Sequence, residues 1–378
     1  MTAVAAGELR LIAAEPGLPG LAVLLDDRSL GVWARTHGLA LPSGARVDRL
    51  RHKPGTRAQA AVDPGDGGPW WVVGAFARSA WDKARKDAAV ARRAFGPEAV
   101  VLDEQRLLVL TPAAADRDLP ALRRLATAPG ARFLTHNPAR RSVLALGGEV
   151  VKVHADPAVA ERAARAARAL GAAGIRTPVV RARDGVARTA FCAGRHPRGA
   201  EGRTALAELT ARLARVDAAG QPVLRVEELR DAAAANLVAL RHWAGAAATV
   251  AEQAQELAHR VRTLDLGPLH RLPEVFLHGD LSADQVLVDD ASDAGLGPTL
   301  LDLDRAGRGP RGFDEASWWA AAVAAGEPGA VGVPGSSPLL ALAAALRLPE
   351  PFRRRRPDWE ARTADLLDLV ENALGERW

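Results

Sequence analysis

Two stretches of the sequence resemble each other segment by segment, and this internal duplication restricts the possible folds more than any other feature. The first stretch contains RHKPGTRAQ, GPWWVVGAFA and VVLDEQRLLVLTP, and the second contains THNPARRSV, GGEVVKVHA and VVRARDGVARTAF. The matches begin at residues 51 and 135, and they follow one order at nearly constant offset. This pattern predicts a duplicated unit of strands, one helix and further strands, with chance similarity in a biased composition as the alternative.

The second copy has clear signals for each of its elements. SVLAL and EVVKVHA have the apolar patterns of strands, and the glycines at 147–148 make a hairpin turn between them. Asp156 followed by Pro157 is a helix start, since a capping residue precedes proline at the first helical position. The alanine-rich pattern predicts a helix to about Leu170, and a second hairpin turns at 184–185.

Beyond about residue 200 the sequence changes to long helical patterns. These patterns cover residues 203–219, 225–265, 312–326, 338–347 and 357–374. Segment 328–338 is rich in glycine and proline and is predicted to be a loop. The order of sheet lobe, second sheet lobe and helical lobe indicates an α+β fold.

Composition narrows the classes of function. The chain has 378 residues, is 48% hydrophobic and has no apolar run long enough for a membrane span, so we expect a globular cytoplasmic protein with no membrane partner. Its beginning lacks the pattern of a secretion signal. Cys192 is the single cysteine, which excludes internal disulfides and zinc sites built from several cysteines. The net charge of +5 is spread along the chain and aromatics are 4%, so no nucleic-acid partner is expected.

The strongest chemical signal is VFLHGDLSADQVLVDD, residues 275–290, followed by TLLDLD at 299–304. The polar, glycine-rich connection DDASDAGLGP predicts that the two apolar runs form a hairpin. Alternation along the second strand would place Asp302 and Asp304 on one face, opposite Gln285 and near Asp280. Such an all-oxygen cluster suits Mg²⁺, which commonly bridges nucleotide phosphates, and the pattern therefore favours phosphoryl transfer.

Lys152 is the second candidate. The chain has 50 basic residues but only four lysines, and Lys152 lies inside the apolar strand VVKVH. A nucleotide phosphate would explain that position, with Glu161 on the following helix as ion-pair partner. The alternatives are a strand-edge lysine that reaches solvent, and a surface pair between Glu161 and Arg165.

The motif and the strand that follows it resemble those of a known family. HGDLSADQ followed by LLDLDRAG is similar to the catalytic loop and metal-binding strand of the aminoglycoside phosphotransferase and choline kinase-like superfamily. The resemblance covers residues 131–378 and implies a protein-kinase-like two-lobed fold. Members of the maltokinase and glucosamine kinase type are nearest, because they also have glutamine at the position of Gln285 and an extra N-terminal cap.

The resemblance also implies roles for individual residues. Asp280 corresponds to the catalytic aspartate, Gln285 and Asp302 to the magnesium ligands, and Asp314 to the aspartate that opens the next helix. Lys152 and Glu161 correspond to the lysine that binds phosphate and its helix partner. Asp304 is either a further magnesium ligand or a hydrogen-bonded neighbour. Backbone groups around Ala190 and Cys192 would read the adenine edge.

The domain prediction follows from both arguments. We expect an α+β cap at 1–125 that resembles a degenerate copy of the nucleotide lobe, a nucleotide-binding lobe at 131–195, and a helical lobe at 196–378. The first copy has Gly74 where the second has Lys152, so the cap is expected to bind no nucleotide. It would serve as a packed cap or as the surface of a homodimer.

The predicted function is an ATP- and Mg²⁺-dependent kinase that phosphorylates a hydroxyl of a sugar, aminosugar or aminoglycoside-like acceptor. A non-catalytic kinase-like binding protein is the alternative, because glutamine is one methylene longer than the usual asparagine and changes the metal geometry. A protein kinase is disfavoured because only eleven residues separate Asp302 from Asp314, too few for a long activation segment. A metallohydrolase would need more histidines and carboxylates at ligand spacing.

Overall fold

The structure is a computed structural model that describes residues 5–243, 248–288, 297–327 and 337–375, with side chains outside 241–249. These residues form an α+β fold of helices and antiparallel strands, as predicted. They divide into two compact units. One contains Met1–Asp156, His242–Ala247 and Phe352–Pro357, so far as these are described, and the other contains the rest of the described chain. The predicted domain boundaries stay predictions.

The first unit begins with short helices and continues as two sets of strands. Its helices are α1 (Ala6–Ala14), α2 (Leu21–Leu24), α3 (Asp27–Thr36), α4 (Arg78–Phe95) and α5 (Leu122–Ala126). Its strands are β1 (Arg46–Lys53), β2 (Arg57–Asp63), β3 (Trp71–Phe76), β4 (Val101–Asp103), β5 (Leu108–Pro112), β6 (Arg132–Asn137), β7 (Arg141–Leu146) and β8 (Glu149–His154). The first five strands form one antiparallel sheet in the order β1-β2-β3-β5-β4.

Helix α4 covers this first sheet because its small and aromatic residues recur at helical spacing. Trp81, Ala84, Ala88 and Ala91 are buried and pack in one cluster with Phe76 and other apolar residues of the sheet. The helix has arginines in its last turn and is followed by Gly96, whose φ of 90° is available to glycine at little cost. The predicted strands, helix and strands of the first copy are therefore present.

The pairing of strands shows that the two copies share one register. In the first copy Gln59 lies opposite Gly74, and in the second Val143 lies opposite Lys152. The hairpins correspond as well, since Lys53 pairs with Arg57 and Asn137 pairs with Arg141. A register shift interrupts β1 against β2 and also β6 against β7. The sequence alignment of Gly74 with Lys152 is therefore correct in structural terms.

The duplication extends further towards the N-terminus than the sequence comparison indicated. Glu15 and Asp116 each begin a turn and short helix, with Leu18 and Leu119 donating their backbone N–H to the acid three residues earlier. The acid side chains perform one task in both copies. Glu15 accepts the backbone N–H of Gly55 at 2.9 Å, and Asp116 accepts that of Ala139 at 2.7 Å, where each hairpin turns.

The same two acids also face a buried histidine. His52 Nε2 lies 3.1 Å from Glu15, and His136 Nε2 lies 3.5 Å from Asp116. Each acid therefore ties the segment before the sheet both to the first strand and to its hairpin. The segment Phe352–Pro357 joins this unit through Arg355, which is 2.7 Å from Glu8 and donates to the carbonyl of Leu25 at 2.8 Å.

The second unit is largely helical. Its helices, of which the ends of α8 and α13 belong to the first unit, are α6 (Pro157–Ala172), α7 (Gly199–Leu213), α8 (Val226–Trp243), α9 (Ala248–Arg262), α10 (Gly267–His270), α11 (Phe313–Ala325), α12 (Pro338–Arg347), α13 (Glu350–Arg353) and α14 (Trp359–Gly375). Its strands are β9 (Arg181–Arg183), β10 (Val186–Ala190), β11 (Glu274–Leu277), β12 (Val286–Leu287), β13 (Thr299–Leu300) and β14 (Gly307–Pro310). Strands β9 and β10, β11 and β14, and β12 and β13 form antiparallel pairs.

One apolar cluster connects these elements. The alanine face of α6, the leucines of α7, Phe276 of β11 and Trp318 of α11 are all buried in it. The same cluster includes the apolar residues that follow the loop of His278, Gly279 and Asp280, namely Leu281, Val286, Leu300 and Leu303. The loop that contains His278, Gly279 and Asp280 therefore stands on a packed core, which restricts its motion.

Most predicted helices are confirmed, with shifted ends. The prediction at 203–219 corresponds to α7, the prediction at 225–265 to α8 and α9, and the prediction at 338–347 to α12. The predicted loop at 328–338 and the connection DDASDAGLGP fall mostly outside the described residues. None of the described helices is long and apolar enough to cross a membrane.

The predicted strand TLLDLD is wrong in its second half. Strand β13 ends at Leu300, and Asp302 has left-handed backbone angles with φ of 55° and ψ of 62°. A turn of 3₁₀-helix from Leu303 to Arg305 follows. The chain is no longer an extended strand at Asp302, so strand alternation of side chains does not apply to Asp302 and Asp304 and cannot place them on one face.

Candidate active site

The site begins where β11 delivers the chain into a tight turn at His278, Gly279 and Asp280. His278 is fully buried, and its Nε2 lies 2.7 Å from the carbonyl oxygen of Leu301. A carbonyl oxygen only accepts, so Nε2 must hold the proton and donate it. The histidine therefore fastens the turn to the chain segment just before Asp302.

Gly279 is required at the centre of the turn. Its φ is +80°, and a Cβ built there would overlap the carbonyl oxygen of Arg305. Both the left-handed backbone and the close approach exclude a side chain. The glycine brings the turn against the segment that contains Asp304 and Arg305.

Asp314, in the first turn of α11, holds the same turn from the other side. Its Oδ2 accepts the backbone N–H of His278 at 2.7 Å, and its Oδ1 accepts that of Gly279 at 2.9 Å. Complete burial raises the pKa of this carboxyl to about 6, while the contacts with His278 oppose the shift. Both donors are satisfied by one side chain, which explains why an acid is buried here.

Asp280 is the carboxylate that this framework presents. Its side chain is 25% exposed. Oδ1 lies 2.7 Å from Nη2 of Arg347, and Oδ2 lies 3.6 Å from Nε of the exposed Arg305. One oxygen is therefore anchored to a buried cation, and the other faces a group that solvent can replace.

Gln285 lies beside Asp302 because of the short β12–β13 pairing. The carbonyl oxygen of Gln285 accepts the backbone N–H of Leu301 at 2.8 Å, so Gln285 is opposite the residue that precedes Asp302. The side-chain Oε1 of Gln285 is buried and has no hydrogen-bond partner among the described residues. A buried acceptor without a donor costs free energy unless a cation or water meets it.

Asp304 occupies a different setting. The residue is 9% exposed, and its backbone carbonyl accepts a hydrogen bond from Nη1 of Arg162 on α6 at 3.4 Å. Within the described ranges, no group of three or more His, Cys, Asp or Glu side chains is arranged to hold a metal ion. A cation at Gln285 and Asp302 would therefore need further oxygen ligands from phosphate or water.

The remaining predicted residues lie on two elements of the second unit and one of the first. Glu161 is exposed on α6, Ala190 ends β10, and Cys192 lies two residues beyond. Burial raises the pKa of the Cys192 thiol, although Arg176 opposes the shift, so this cysteine is not an activated nucleophile. Lys152 is half-buried in the middle of β8. Its pairing with Glu161 stays a prediction.

Arg347 is the residue that sequence reasoning missed. It is the last residue of α12, PLLALAAALR, and only 6% of it is exposed. A single charge at the end of an otherwise apolar helix is a signal that could have been recognised, because a buried charge needs a partner. The partner, Asp280, is far away in sequence and could not be identified from the helix alone.

The fold and the turn define a class of protein, the phosphotransferases that act on small molecules and have the kinase-like fold. The model of the phosphotransferase enzyme family matches residues 132–357, well over half of the chain. The chain therefore belongs to this family, and it is an enzyme that transfers a phosphoryl group to a hydroxyl.

Solved structures include several similar chains. The GDP complex of wild-type aminoglycoside 2'-phosphotransferase-IIIa is 18% identical with a TM-score of 0.43, and the similarity covers 68% of this chain and 96% of that one. A choline/ethanolamine kinase family protein from Mesorhizobium loti is 17% identical with a TM-score of 0.43, covering 67% and 93%. Aminoglycoside-3'-phosphotransferase of type VIII is 22% identical with a TM-score of 0.39, covering 67% and 99%. No curated protein matches the sequence.

Proposed function

We propose that the protein is an ATP- and Mg²⁺-dependent kinase whose acceptor is a sugar, aminosugar or aminoglycoside-like compound, and that Asp280 is its catalytic residue. The observation that carries this proposal is the state of Asp280. It is a partly exposed carboxylate at the end of a turn held by Asp314, with Oδ1 held by the buried Arg347 and Oδ2 3.6 Å from the exposed Arg305.

Asp280 would orient the acceptor hydroxyl and receive its proton. The acceptor oxygen forms a bond to the γ-phosphorus as the bond from that phosphorus to the β-phosphate oxygen breaks, and the products are the phosphate ester and ADP. General-base assistance of this kind contributes roughly 10²–10⁴ in rate. Holding the hydroxyl in line contributes further, because reactive geometry is then reached without loss of entropy.

The residues around Gln285 fit a magnesium ion. The buried Oε1 of Gln285 has no donor among the described residues, and Asp302 lies beside it in the chain pairing. Amide and carboxylate oxygens are ligands that Mg²⁺ accepts, and the ion usually completes its shell with water and phosphate. When bound, Mg²⁺ neutralises charge on the phosphate oxygens. Asp304 is proposed as a further ligand.

Three sequence elements would bind the nucleotide. Lys152 pairs with its phosphates, Glu161 orients Lys152, and backbone groups at Ala190 and Cys192 meet the adenine edge. The composition supports the lysine assignment, because Lys152 is one of only four lysines among 50 basic residues, and a compact ammonium differs from the planar guanidinium that dominates the chain. The acceptor would lie against the turn and the helices α7, α8 and α11.

The proposal is tested by measuring ADP release with ATP and Mg²⁺ against sugars, aminosugars, aminoglycosides and amino alcohols. Asp280→Asn keeps the shape of the side chain and removes the base, so release should fall at least about 10²-fold with the active acceptor. Asp217→Asn is the matched control, since Asp217 is an exposed acid that accepts the backbone N–H of Ala219. Equal rates for Asp280→Asn and the wild type would refute the assignment.

A further inference from the structure

Arg347 connects three parts of the second unit through one buried guanidinium. Nη2 lies 2.7 Å from Oδ1 of Asp280, 3.4 Å from the carbonyl oxygen of Asp280 and 3.0 Å from Oγ of Ser317. Nη1 lies 3.2 Å from Oε2 of Glu350. The arginine therefore contacts the His-Gly-Asp turn, helix α11 and helix α13 at once.

The charge on this arginine is compensated within the site. Burial lowers the pKa of Arg347, but Glu350 and Asp280 outweigh it and hold the pKa above its ordinary value. A buried cation is tolerated when it is paired and hydrogen-bonded. Because Glu350 takes Nη1, the Nη2 group remains for Asp280 and Ser317.

We propose that Arg347 is a positioning residue for Asp280, which fixes Oδ1 and so directs Oδ2 towards the acceptor hydroxyl. This role rests on the proposed function. A free carboxylate rotates about its last side-chain bond, and either oxygen can then face the substrate. With Oδ1 held by a charged hydrogen bond and the backbone of Asp280 held by the same guanidinium, one orientation is selected.

The surroundings of Oδ2 are consistent with one fixed oxygen and one oxygen that meets the acceptor. Arg305 is the cation that faces Oδ2, at 3.6 Å, and its side chain is 63% exposed. An exposed arginine at that distance is easily displaced by an incoming hydroxyl, whereas Arg347 is enclosed. The two arginines therefore differ in kind, one a fixed anchor and the other a replaceable neighbour.

The test compares Arg347→Met and Arg347→Lys with a buried arginine elsewhere. Arg355 is the matched control, because its side chain is 9% exposed against 8% for Arg347, and each makes an ion pair of 2.7 Å. Steady-state kcat, KM for the acceptor, the dissociation constant of ATP and the melting temperature would be measured for each variant. The same arginine changes would be repeated in the Asp280→Asn background.

Arg347→Met should lower kcat by about 10- to 100-fold with little change in ATP affinity, since misplacing a reacting group affects the chemical step. Arg347→Lys should recover part of kcat because it keeps one charged donor. Arg355→Met should lose comparable thermal stability and keep its kcat. In the Asp280→Asn background, Arg347→Met should lower kcat little further, because no carboxylate remains to be positioned.

Three outcomes would overturn the role. The first is a kcat within about twofold of the wild-type value in both Arg347→Lys and Arg347→Met, an effect much smaller than expected of a positioning group. The second is that Arg347→Met lowers kcat by the same factor in the Asp280→Asn background as in the wild type. The third is that Arg355→Met lowers kcat as much as Arg347→Met does. If Arg347→Met does not fold, Arg347→Lys decides by the same comparison. A wild type that transfers phosphate to no acceptor refutes the proposed function, and an active wild type with unaffected Arg347 variants refutes only this role.

Discussion

Strands β3 and β8 hold the same place in the two copies of the duplicated segment, yet β3 contains Gly74 and β8 contains Lys152. The hairpins, the register shift and the acid that caps each hairpin turn are shared. The shared framework therefore does not depend on the lysine, which is present in the second copy and not in the first. Function lies in side chains placed on a fold rather than in the fold itself.

The first copy is also closed where the second has its lysine. A Cβ built on Gly74 would lie 2.6 Å from the ring of Phe76. The cavity beside these two residues has a volume of about 90 Å³. Pockets for small organic ligands are usually about 300–1,000 Å³, so this space is too small for a nucleotide. Packing, as well as the missing charge, separates the two copies.

The largest expected effect comes from removing the lysine that the second copy has where the first has Gly74. Lys152→Met should lower kcat/KM for ATP by about 10²–10³, as expected when a preorganised charge on the phosphates is lost. Lys83→Met is the control, because Lys83 lines the cavity of the first copy. Nucleotide titrations and initial rates measure both. A comparable loss in both variants would contradict the assignment of the nucleotide to the second copy.

Replacing glycine with alanine should cost more stability at Gly279 in the second unit than at Gly38 in the first. Gly279 and Gly38 have φ of +80° and +83°, but a Cβ would overlap Arg305 at the first and meet nothing within 4 Å at the second. Gly279→Ala should destabilise by about 3 kcal/mol, and Gly38→Ala by about 1 kcal/mol from backbone strain alone. Urea unfolding compares them. Equal costs would show that the close approach at Gly279 relaxes without penalty.

Two buried titratable groups should make the stability of the fold depend on pH in opposite directions. Burial raises the pKa of Asp314 to about 6, so stability from its protonated form is lost as the pH rises through about 6. Burial lowers the pKa of His136 to about 3 from 6.5, so the stability of its neutral form is lost as the pH falls below 6.5.

The measurement is urea unfolding of Asp314→Asn and His136→Gln from pH 4 to pH 7. Relative to its variant, the wild type should gain about 1 kcal/mol per pH unit on acidification at Asp314 and lose a similar amount at His136 within the titrating range. If both differences move in the same direction, one of the two pKa shifts has the wrong sign.

The smallest effect on nucleotide binding is expected at Gly74. A Cβ at this position would lie 2.6 Å from the ring of the buried Phe76, so Gly74→Ala requires the ring to shift and should cost about 1–3 kcal/mol of stability. Affinity for ATP should not change. A weaker affinity in this variant, measured by titration, would mean that the first copy takes part in nucleotide binding.

Much of this comparison could be predicted from the sequence. Turn residues such as Gly147 and the helix start at Pro157 are local signals, and the fold places them as expected. The segments beginning at Glu15 and Asp116 were not recognised as copies, because they share little besides leucines and one proline. Their equivalence is visible only in the hydrogen bonds that they make.

The site was predicted less completely. Asp280 and Gln285 were predicted from a motif, and their roles stay predictions. The left-handed conformation of Asp302 ended the alternation on which its pairing with Asp304 was based. Arg347 was missed because its burial results from the packing of α11 against α12, and no local pattern determines which carboxylate it meets. Long-range ion pairs of this kind follow from tertiary structure.

The most direct test of the account is the stoichiometry of ATP binding in the presence of Mg²⁺, measured by calorimetry on the wild type, Lys152→Met and Lys83→Met. We expect one nucleotide per chain, with binding strongly weakened by Lys152→Met and unchanged by Lys83→Met. Two nucleotides per chain, or binding that depends on Lys83 and not on Lys152, would contradict it.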